Sequence, residues 1–253
     1  DAGNLVWAKS FGSTTGDAAN RIVLDNLNNI YLTGSFSGTA DFDPSVAVES
    51  RASNGSNDIF IAKFDQNGYY LNVTTVGGTG DDYASSIAID NSSALIITGY
   101  FTGTVDFDPS AAIANRTSLG GVDSYVAKYD IYGNFFWANS SVNNSTGNES
   151  GASIAVDRDG NVAYIGITRD VLNNVDVMSM AKYDELGTLI FNFKTAPAAA
   201  GVGNKSYGYD LAFDDVGNIL TTGTYVGSID FSHDASGSTY VAGSSFNTYV
   251  EKY

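Results

Sequence analysis

The chain of 253 residues contains no cysteine. Disulfide bonds, zinc sites built from thiolates and cysteine nucleophiles are therefore excluded. Histidine occurs once, so a Ser-His-Asp triad would have to use His233. Because Ser232 and Asp234 flank it in a loop-like stretch, we interpret His233 as a solvated loop residue. Proline is scarce too, at 3 residues against 28 glycines, which indicates many tight turns.

Basic residues are few. Lys and Arg together number 12 against 28 Asp and Glu, which gives a formal net charge of −16. Such a surface repels phosphate backbones, so we expect no nucleic-acid partner. No apolar run approaches the roughly 18 residues of a membrane-spanning helix, so no membrane insertion is expected.

One short phrase recurs in four copies, at 58–65, 123–130, 176–184 and 247–253. The matching lysines are Lys63, Lys128, Lys182 and Lys252, which lie 65, 54 and 70 residues apart. We interpret these lysines as members of ion pairs at a sheet edge or as packed aliphatic stems, not as catalytic amines. A long repeat that is rich in β segments indicates repetition of one β unit around an axis or along a stack.

Each repeat carries four β segments. An apolar run ending in Asp (22–25) is followed by a tight turn, a run ending in Gly (30–34), the recurring phrase, and a fourth segment such as 135–138. No apolar spacing keeps a period of 3.6 residues over three turns, so almost no helix is expected. The sequence predicts an all-β fold, a β-propeller of four four-stranded antiparallel blades in one domain over 1–253. The repeat units are about 1–65, 66–130, 131–184 and 185–253.

The sequence begins with the pattern of the last strand of a repeat and ends with that of the strand before it. Residues 5–11 have the pattern of a fourth strand, and residues 246–253 have that of a third strand. We predict that the N-terminal strand completes the last blade and closes a four-bladed ring. Two alternatives stay open: a segment of a longer array of about six to eight blades, and a spare strand that docks into the next molecule.

Two stretches carry a family resemblance. GSFSGTADFDP (34–44) and GYFTGTVDFDP (99–109) are similar to the G-x-F-x-G-T-x-D-F-D-P stretch of SBBP-type β-propeller repeat proteins, and 133–138 and 157–162 also fit that repeat. The likeness covers nearly the whole chain, but unit three lacks the Asp-Phe-Asp-Pro loop and unit four has DFSHD (230–234) instead. The resemblance implies a secreted or cell-surface bacterial protein, often from Bacteroidota, with no defined catalytic activity.

The aspartates of these loops are the candidate metal ligands. Asp41, Asp43, Asp106 and Asp108 could bind Ca²⁺, the one cofactor that the sequence suggests. Alternatively, their carboxylates accept hydrogen bonds from backbone N–H groups in a tight turn before proline. We interpret turns such as 157–161 as hairpins, because they lack the downstream Glu of a calcium loop.

The chain contains nine Asn-x-Ser/Thr sequons, which are glycosylation candidates if the source organism modifies exported proteins. They lie at Asn54, Asn72, Asn91, Asn115, Asn139, Asn143, Asn144, Asn148 and Asn204.

Three functions compete. The leading hypothesis is a non-enzymatic extracellular or cell-surface module, structural or adhesive, whose partners are other surface proteins or copies of itself. It rests on the absence of a unit with distinctive polar residues, and no catalytic residue is nominated. The alternative is a glycan-binding propeller that stacks sugars on aromatic side chains; the candidates are Trp7, Trp137, Tyr69, Tyr70 and Tyr132. A glycan hydrolase or lyase in the central channel comes third, because the fold alone does not support it.

Overall fold

The computed structural model describes residues 3–140, 147–170, 174–197, 203–232 and 239–253. Asn143, Asn144 and His233 lie outside these ranges. The described residues form 22 β-strands and no helix, which confirms the all-β prediction. Nothing in these ranges could therefore cross a membrane as a helix.

In the structure we count a unit by its main sheet, from the first strand through the fourth, so its boundaries lie later in the chain than those of the sequence repeat; the first two units have the same strand plan. Unit one contains β1 (Asp17–Leu24), β2 (Ile30–Phe36), β3 (Thr39–Asp41), β4 (Ser50–Ala52), β5 (Asp58–Phe64) and β6 (Tyr70–Val76). Unit two contains β7 (Tyr83–Ile89), β8 (Leu95–Phe101), β9 (Thr104–Asp106), β10 (Asn115–Thr117), β11 (Asp123–Tyr129) and β12 (Phe135–Ser140). The first sheet has the order β1-β2-β5-β6 and the second β7-β8-β11-β12, while β3-β4 and β9-β10 form separate hairpins.

The last two units depart from this plan. Unit three contains β13 (Glu149–Val156), β14 (Val162–Asp170), β15 (Val175–Tyr183) and β16 (Leu189–Lys194), in one four-stranded sheet. Unit four contains β17 (Ala196–Pro197), β18 (Lys205–Phe213), β19 (Ile219–Val226), β20 (Ser228–Asp230), β21 (Thr239–Val241) and β22 (Asn247–Lys252). The fourth sheet has three strands, β18-β19-β22, and a small sheet β17-β20-β21 lies beside it.

The glycine that recurs in each second strand has a steric cause. Each first strand carries a β-bulge opposite this glycine. A Cβ at Gly34, Gly99, Gly166 or Gly223 would collide with a carbonyl oxygen of the facing first strand. Only glycine allows so close an approach of two backbones.

The four sheets pack face to face in chain order, mainly through their first strands. β1 contacts β7, β7 contacts β13, and β13 contacts β18. Apolar side chains of two successive sheets form one core cluster at each of these contacts, which we call junctions. No contact of similar extent joins β18 to β1 among the described strands.

An Asp-Phe pair, in Asp-Phe-Asp of units one and two and in Asp-Phe-Ser of unit four, supplies a buried aromatic side chain to three of the units. Phe42, Phe107 and Phe231 are 0–3% exposed. Each meets an aromatic ring of the second strand edge to face, with centroids 5.3, 5.6 and 5.5 Å apart. The phenylalanine explains why the motif recurs, because it anchors the hairpin that follows the second strand to the core.

The predicted pairing of the N-terminal segment with the last sheet is wrong in this structure. Residues 3–11 form no strand, and within the described ranges β22 pairs with β19 alone. Phe11 packs instead on the first sheet and its hairpin, with its ring centroid 5.7 Å from that of Phe42 and 5.3 Å from that of Phe64. Within the described ranges, the last sheet is therefore not joined to the first.

Candidate functional site

A cleft of about 740 Å³ lies where the first strands of units two, three and four begin and the second strands end. Its lining includes Tyr83, Tyr100, Arg169, Asp176 and Tyr207. Loops that enter the first strands and loops that leave the second strands meet here, so side chains far apart in sequence converge. Asp176 opens the third copy of the recurring phrase and Tyr100 lies in the repeated stretch 99–109, whereas Tyr83, Arg169 and Tyr207 lie outside these repeated stretches.

Two tyrosines form an aromatic wall of the cleft. Tyr83 of β7 is the register partner of Tyr100 of β8, and their rings stack with centroids 4.7 Å apart and an interplanar angle of 29°. Burial, together with the charges of Tyr83 and Asp81, raises the pKa of Tyr100 to about 12. Its hydroxyl is therefore protonated at neutral pH and can donate a hydrogen bond.

An ion pair faces this wall from unit three. Arg169 Nη1 lies 2.7 Å from Asp176 Oδ1, and Arg169 Nη2 donates to Asn174 Oδ1 at 2.7 Å. Tyr207 of β18 donates its hydroxyl to Asp176 Oδ2 at 3.3 Å. Burial, and then the charge of Asp176, raises the pKa of Tyr207.

The ion pair occupies the place of a missing hairpin. Units one, two and four have a hairpin after the second strand, whereas in unit three β14 leads to β15 through a short connection. The expectation that no unit carries distinctive polar residues is therefore wrong for unit three. Its shortened loop was a signal in the sequence that could have drawn attention to Arg169 and Asp176.

A buried acidic side chain, that of Asp82, directly precedes Tyr83 of the cleft wall. Asp82 is 0% exposed and accepts hydrogen bonds from the backbone N–H groups of Gly78 at 2.7 Å and Thr102 at 3.2 Å. Burial raises the pKa of Asp82 to about 6. Asp17 occupies the same register position in unit one and Glu149 in unit three, and Asp17 likewise accepts the backbone N–H groups of Ser13 and Ser37.

The cleft combines an aromatic wall with charged and hydroxyl groups. Such a surface can stack the apolar face of a ring and hydrogen-bond its hydroxyl groups. Acid–base catalysis requires an acid and a base placed around one reacting atom. The ion pair does not provide this arrangement, because Arg169 and Asp176 bind each other.

The candidate calcium ligands cap their own hairpins and do not come together. Asp41 Oδ1 accepts the backbone N–H groups of Asp43 at 3.1 Å and Glu49 at 2.8 Å. Asp106 Oδ1 repeats this with Asp108 at 3.1 Å and with Ala114 at 2.8 Å. The described ranges hold no group of three or more acidic or histidine side chains placed to bind a metal. This geometry supports the hydrogen-bonding alternative, and calcium binding stays a prediction.

The turns that might have been calcium loops are hairpins. Seven aspartates accept the backbone N–H of the residue four positions later, at Asp25, Asp65, Asp90, Asp130, Asp157, Asp184 and Asp214. The same oxygen also accepts the N–H two positions later in each turn. The interpretation of 157–161 as a turn is confirmed.

The recurring lysines pair with these turns. Lys128 Nζ lies 2.9 Å from Asp90, and the equivalent distances for Lys182 to Asp157 and Lys252 to Asp214 are 3.2 and 2.7 Å. Lys63 differs, since its Nζ lies 5.0 Å above the ring of Tyr31, whose hydroxyl binds Asp25. The ion-pair interpretation is confirmed in three of the four copies.

Several sequon asparagines already use the amide nitrogen that a glycan would modify. The Nδ2 atoms of Asn54, Asn72, Asn91 and Asn139 donate to the backbone carbonyls of Gly77, Tyr132, Arg158 and Gly187. Asn148 and Asn204 accept backbone N–H groups through Oδ1. Asn115 lies exposed in a hairpin strand. Glycosylation stays a prediction for all of these candidates.

The aromatic residues proposed for sugar binding lie elsewhere. Tyr69 and Tyr132 are 62% and 71% exposed near turns, and Tyr70 packs on Phe64. Trp137 lines a separate cleft of about 470 Å³ and donates its indole N–H to Glu185. The tyrosines of the larger cleft were missed because they come from three different strands, and their proximity depends on how the sheets pack.

Comparison with known proteins supports a repeat-type β fold and assigns no activity. No protein-family model matches the chain. The chain is similar to an uncharacterized WD repeat-containing protein, L264, of Acanthamoeba polyphaga mimivirus, with 28% identity over 53% of this chain and 11% of that protein. A crystal structure of a protein of unknown function from Bacteroides caccae has a TM-score of 0.42 and 10% identity, over 90% of this chain and 62% of that one. The chain thus spans about a tenth of the length of the curated relative. Together with the strand content, this likeness indicates a β-rich repeat protein.

Proposed function

We propose that the chain is a non-enzymatic structural or adhesive module that acts outside the cell or on its surface. Its sheets would be blades of a β-propeller of the SBBP type that the sequence resembles. The observation that carries this proposal is that the repeated polar residues bind one another. The turn aspartates accept backbone N–H groups, and three of the repeated lysines pair with them.

Because the repeated polar residues bind one another, we infer a structural role for them and not a catalytic one. A catalytic group needs a lone pair or a proton available to a substrate, whereas a carboxylate that caps a turn has its acceptor positions occupied. An acidic surface of net charge −16 keeps such a module soluble. Its partners would be other surface proteins, glycans or copies of the chain itself.

Two measurements test the structural role. Beads coated with the chain should adhere to cells or surface proteins more strongly than beads coated with an unrelated acidic protein of similar size. The chain should also leave a panel of polysaccharides and chromogenic glycosides unchanged. Adhesion at the control level, or turnover that an active-cleft variant such as Arg169→Ala abolishes, would contradict the proposal.

Glycan binding in the larger cleft is the second candidate function. The stacked Tyr83 and Tyr100 beside the Arg169–Asp176 ion pair favour it, because aromatic faces with adjacent charged groups are typical of sugar sites. A glycan array should give a hit whose binding is weakened at least about tenfold by Tyr100→Ala, a loss of about 1.4 kcal/mol. Tyr132→Ala, in an exposed turn, is the control. An array without hits would reject this function.

A further inference from the structure

The first and last sheets expose two surfaces that correspond to the two sides of an internal junction. At each internal junction, one apolar side chain of a third strand faces the next sheet, and one of a first strand faces back. These pairs share a core cluster and are 1–7% exposed; they are Ile61 with Ile87, Val126 with Ile154, and Met180 with Leu211.

The strand register identifies the corresponding residues at the two outer faces. Ile22 of β1 takes the position of Ile87, and it is 56% exposed. Val250 of β22 takes the position of Val126, and it is 75% exposed. Each of these side chains lies on one half of a junction whose other half is missing within the single chain.

The N-terminal segment shows what kind of element covers the first sheet. Trp7 donates its indole N–H to the carbonyl of Gln66 at 3.2 Å. Trp137, in the fourth strand of the second sheet, donates to the carbonyl of Glu185 in the third sheet at 3.1 Å. Gln66 and Glu185 hold the same position in their turns, and the glycine two residues further on contacts the indole in both cases. Residues 5–9 therefore lie where the fourth strand of a preceding sheet would lie.

A sheet that packs on Ile22 of the first sheet must lack a fourth strand of its own, because residues 5–9 already occupy the place of that strand. The last sheet of this chain meets the requirement, since it has three strands and β22 has a pairing partner on one side only among the described strands. Within one chain the last sheet follows the first by three junctions and makes no comparable contact with it. A second copy of the chain can supply it.

We propose that two copies associate head to tail, so that residues 5–9 of each copy pair as a fourth strand with β22 of the other. Ile22 of one copy then packs against Val250 of the second copy, as Ile87 packs with Ile61 inside the chain. Two copies would close a ring of eight sheets, which lies within the range of about four to eight blades of known propellers. Closure leaves no unpaired strand edge at which further copies could add.

Association balances two opposing effects. Burial of the two apolar faces favours it, whereas the net charge of −16 on each copy opposes it. Salt screens this repulsion over a Debye length of about 8 Å at roughly 0.15 M. The dimer should therefore be tighter at physiological salt than at low salt.

Size-exclusion chromatography with light scattering of the 253-residue chain tests the inference. We expect a mass of twice 26.6 kDa at about 0.15 M salt. Ile22→Asp and Val250→Asp should each give the single-chain mass, because each places a charge in the new junction. Both positions are exposed in the single chain, so circular dichroism should show an unchanged fold. Val46→Asp is the matched control, since Val46 is fully exposed in a hairpin loop and should leave the dimer intact.

The inference is overturned if the unaltered chain stays monomeric at every concentration, or if the two junction variants dimerise like Val46→Asp. A monomer would leave a sheet of another protein, or of a longer form of this chain, as the occupant. The inference deepens the proposed structural role and rests on it. The two fail separately: glycan turnover by a dimer would contradict the role alone, and an adhesive monomer would contradict the dimer alone.

Discussion

At the scale of single residues, the turn aspartates make a set of hydrogen bonds that recurs in all four units. Asp130 illustrates it, since Oδ1 accepts the backbone N–H groups of Tyr132 and Asn134 at 2.8 and 2.9 Å, and Oδ2 accepts the side-chain amide of Asn134 at 2.7 Å. The turn would lose all three bonds without this carboxylate. Each such aspartate thus joins two strands of a sheet at a fixed register.

Asp130→Ala should lower the free energy of unfolding by about 1–3 kcal/mol, because backbone donors lose their acceptor. Urea denaturation followed by tryptophan fluorescence would measure it. Asp159→Ala, at an exposed turn position, is the control and should change the midpoint little. Equal effects of the two substitutions would contradict the role of the carboxylate as a turn cap.

Asp82 should make stability depend on pH in the opposite direction to the turn aspartates. Its pKa is raised to about 6 by burial, so the folded state binds a proton more tightly than the unfolded state. The free energy of unfolding should therefore fall as pH rises from about 4 to about 6, by roughly 3 kcal/mol at about 1.4 kcal/mol per pKa unit. The pKa of Asp184, by contrast, is lowered by the backbone N–H of Thr188, and its contribution is lost as pH falls below about 4.

Asp82→Asn should flatten the pH profile between about 4 and 6, as measured by urea denaturation at a series of pH values. Part of the slope should remain, because burial also raises the pKa of Glu251, to about 7. Asp81→Asn, at the exposed neighbour, is the control. A profile that Asp82→Asn leaves unchanged would show that this carboxyl titrates normally in the folded chain.

At the scale of elements, the motif hairpins depend on one phenylalanine each. Phe107 is 0% exposed, with its ring centroid 5.6 Å from that of Phe101 and 5.0 Å from that of Tyr125. Phe107→Ala should lower the free energy of unfolding by about 3–5 kcal/mol, measured by urea denaturation. Pro109→Ala, in the same loop, should cost far less. A small effect of Phe107→Ala would mean that the hairpin is not anchored through this ring.

The main strands could be predicted from the sequence because alternation and turn residues act locally. The second strand predicted at 30–34 became β2 (Ile30–Phe36), and the third, at 58–65, became β5 (Asp58–Phe64). The hairpins β3-β4 and β9-β10 were missed, since strands of three residues leave too short a pattern.

Other features depend on long-range geometry that local patterns do not carry. Residues 5–9 have a strand pattern, but their partner depends on the angle between sheets and on how many sheets close a ring. The cleft was missed for a related reason. Tyr100, Arg169 and Tyr207 belong to three units, and only the packing of the sheets brings them together.

At the scale of the whole molecule, the first and last of the four sheets each expose an apolar side chain. Four sheets pack on one another in chain order, with Ile22 exposed on the first and Val250 exposed on the last. These side chains are the two halves of one junction, and we place the halves on different copies of the chain. The absence of cysteine makes this arrangement easy to test, because spin labels can be attached at introduced cysteines alone.

Electron–electron distance measurement between labels at residues 22 and 250 is the most direct test. In a mixture of chains carrying Ile22→Cys or Val250→Cys, with labels too small to block the junction, we predict a short distance between copies. This distance should be close to the spacing of packed sheets, about 10 Å, plus the lengths of the two label side chains. In doubly labelled chains diluted with unlabelled chain, the distance within one copy should be much longer. A short distance within one diluted chain, or none between copies, would contradict the account.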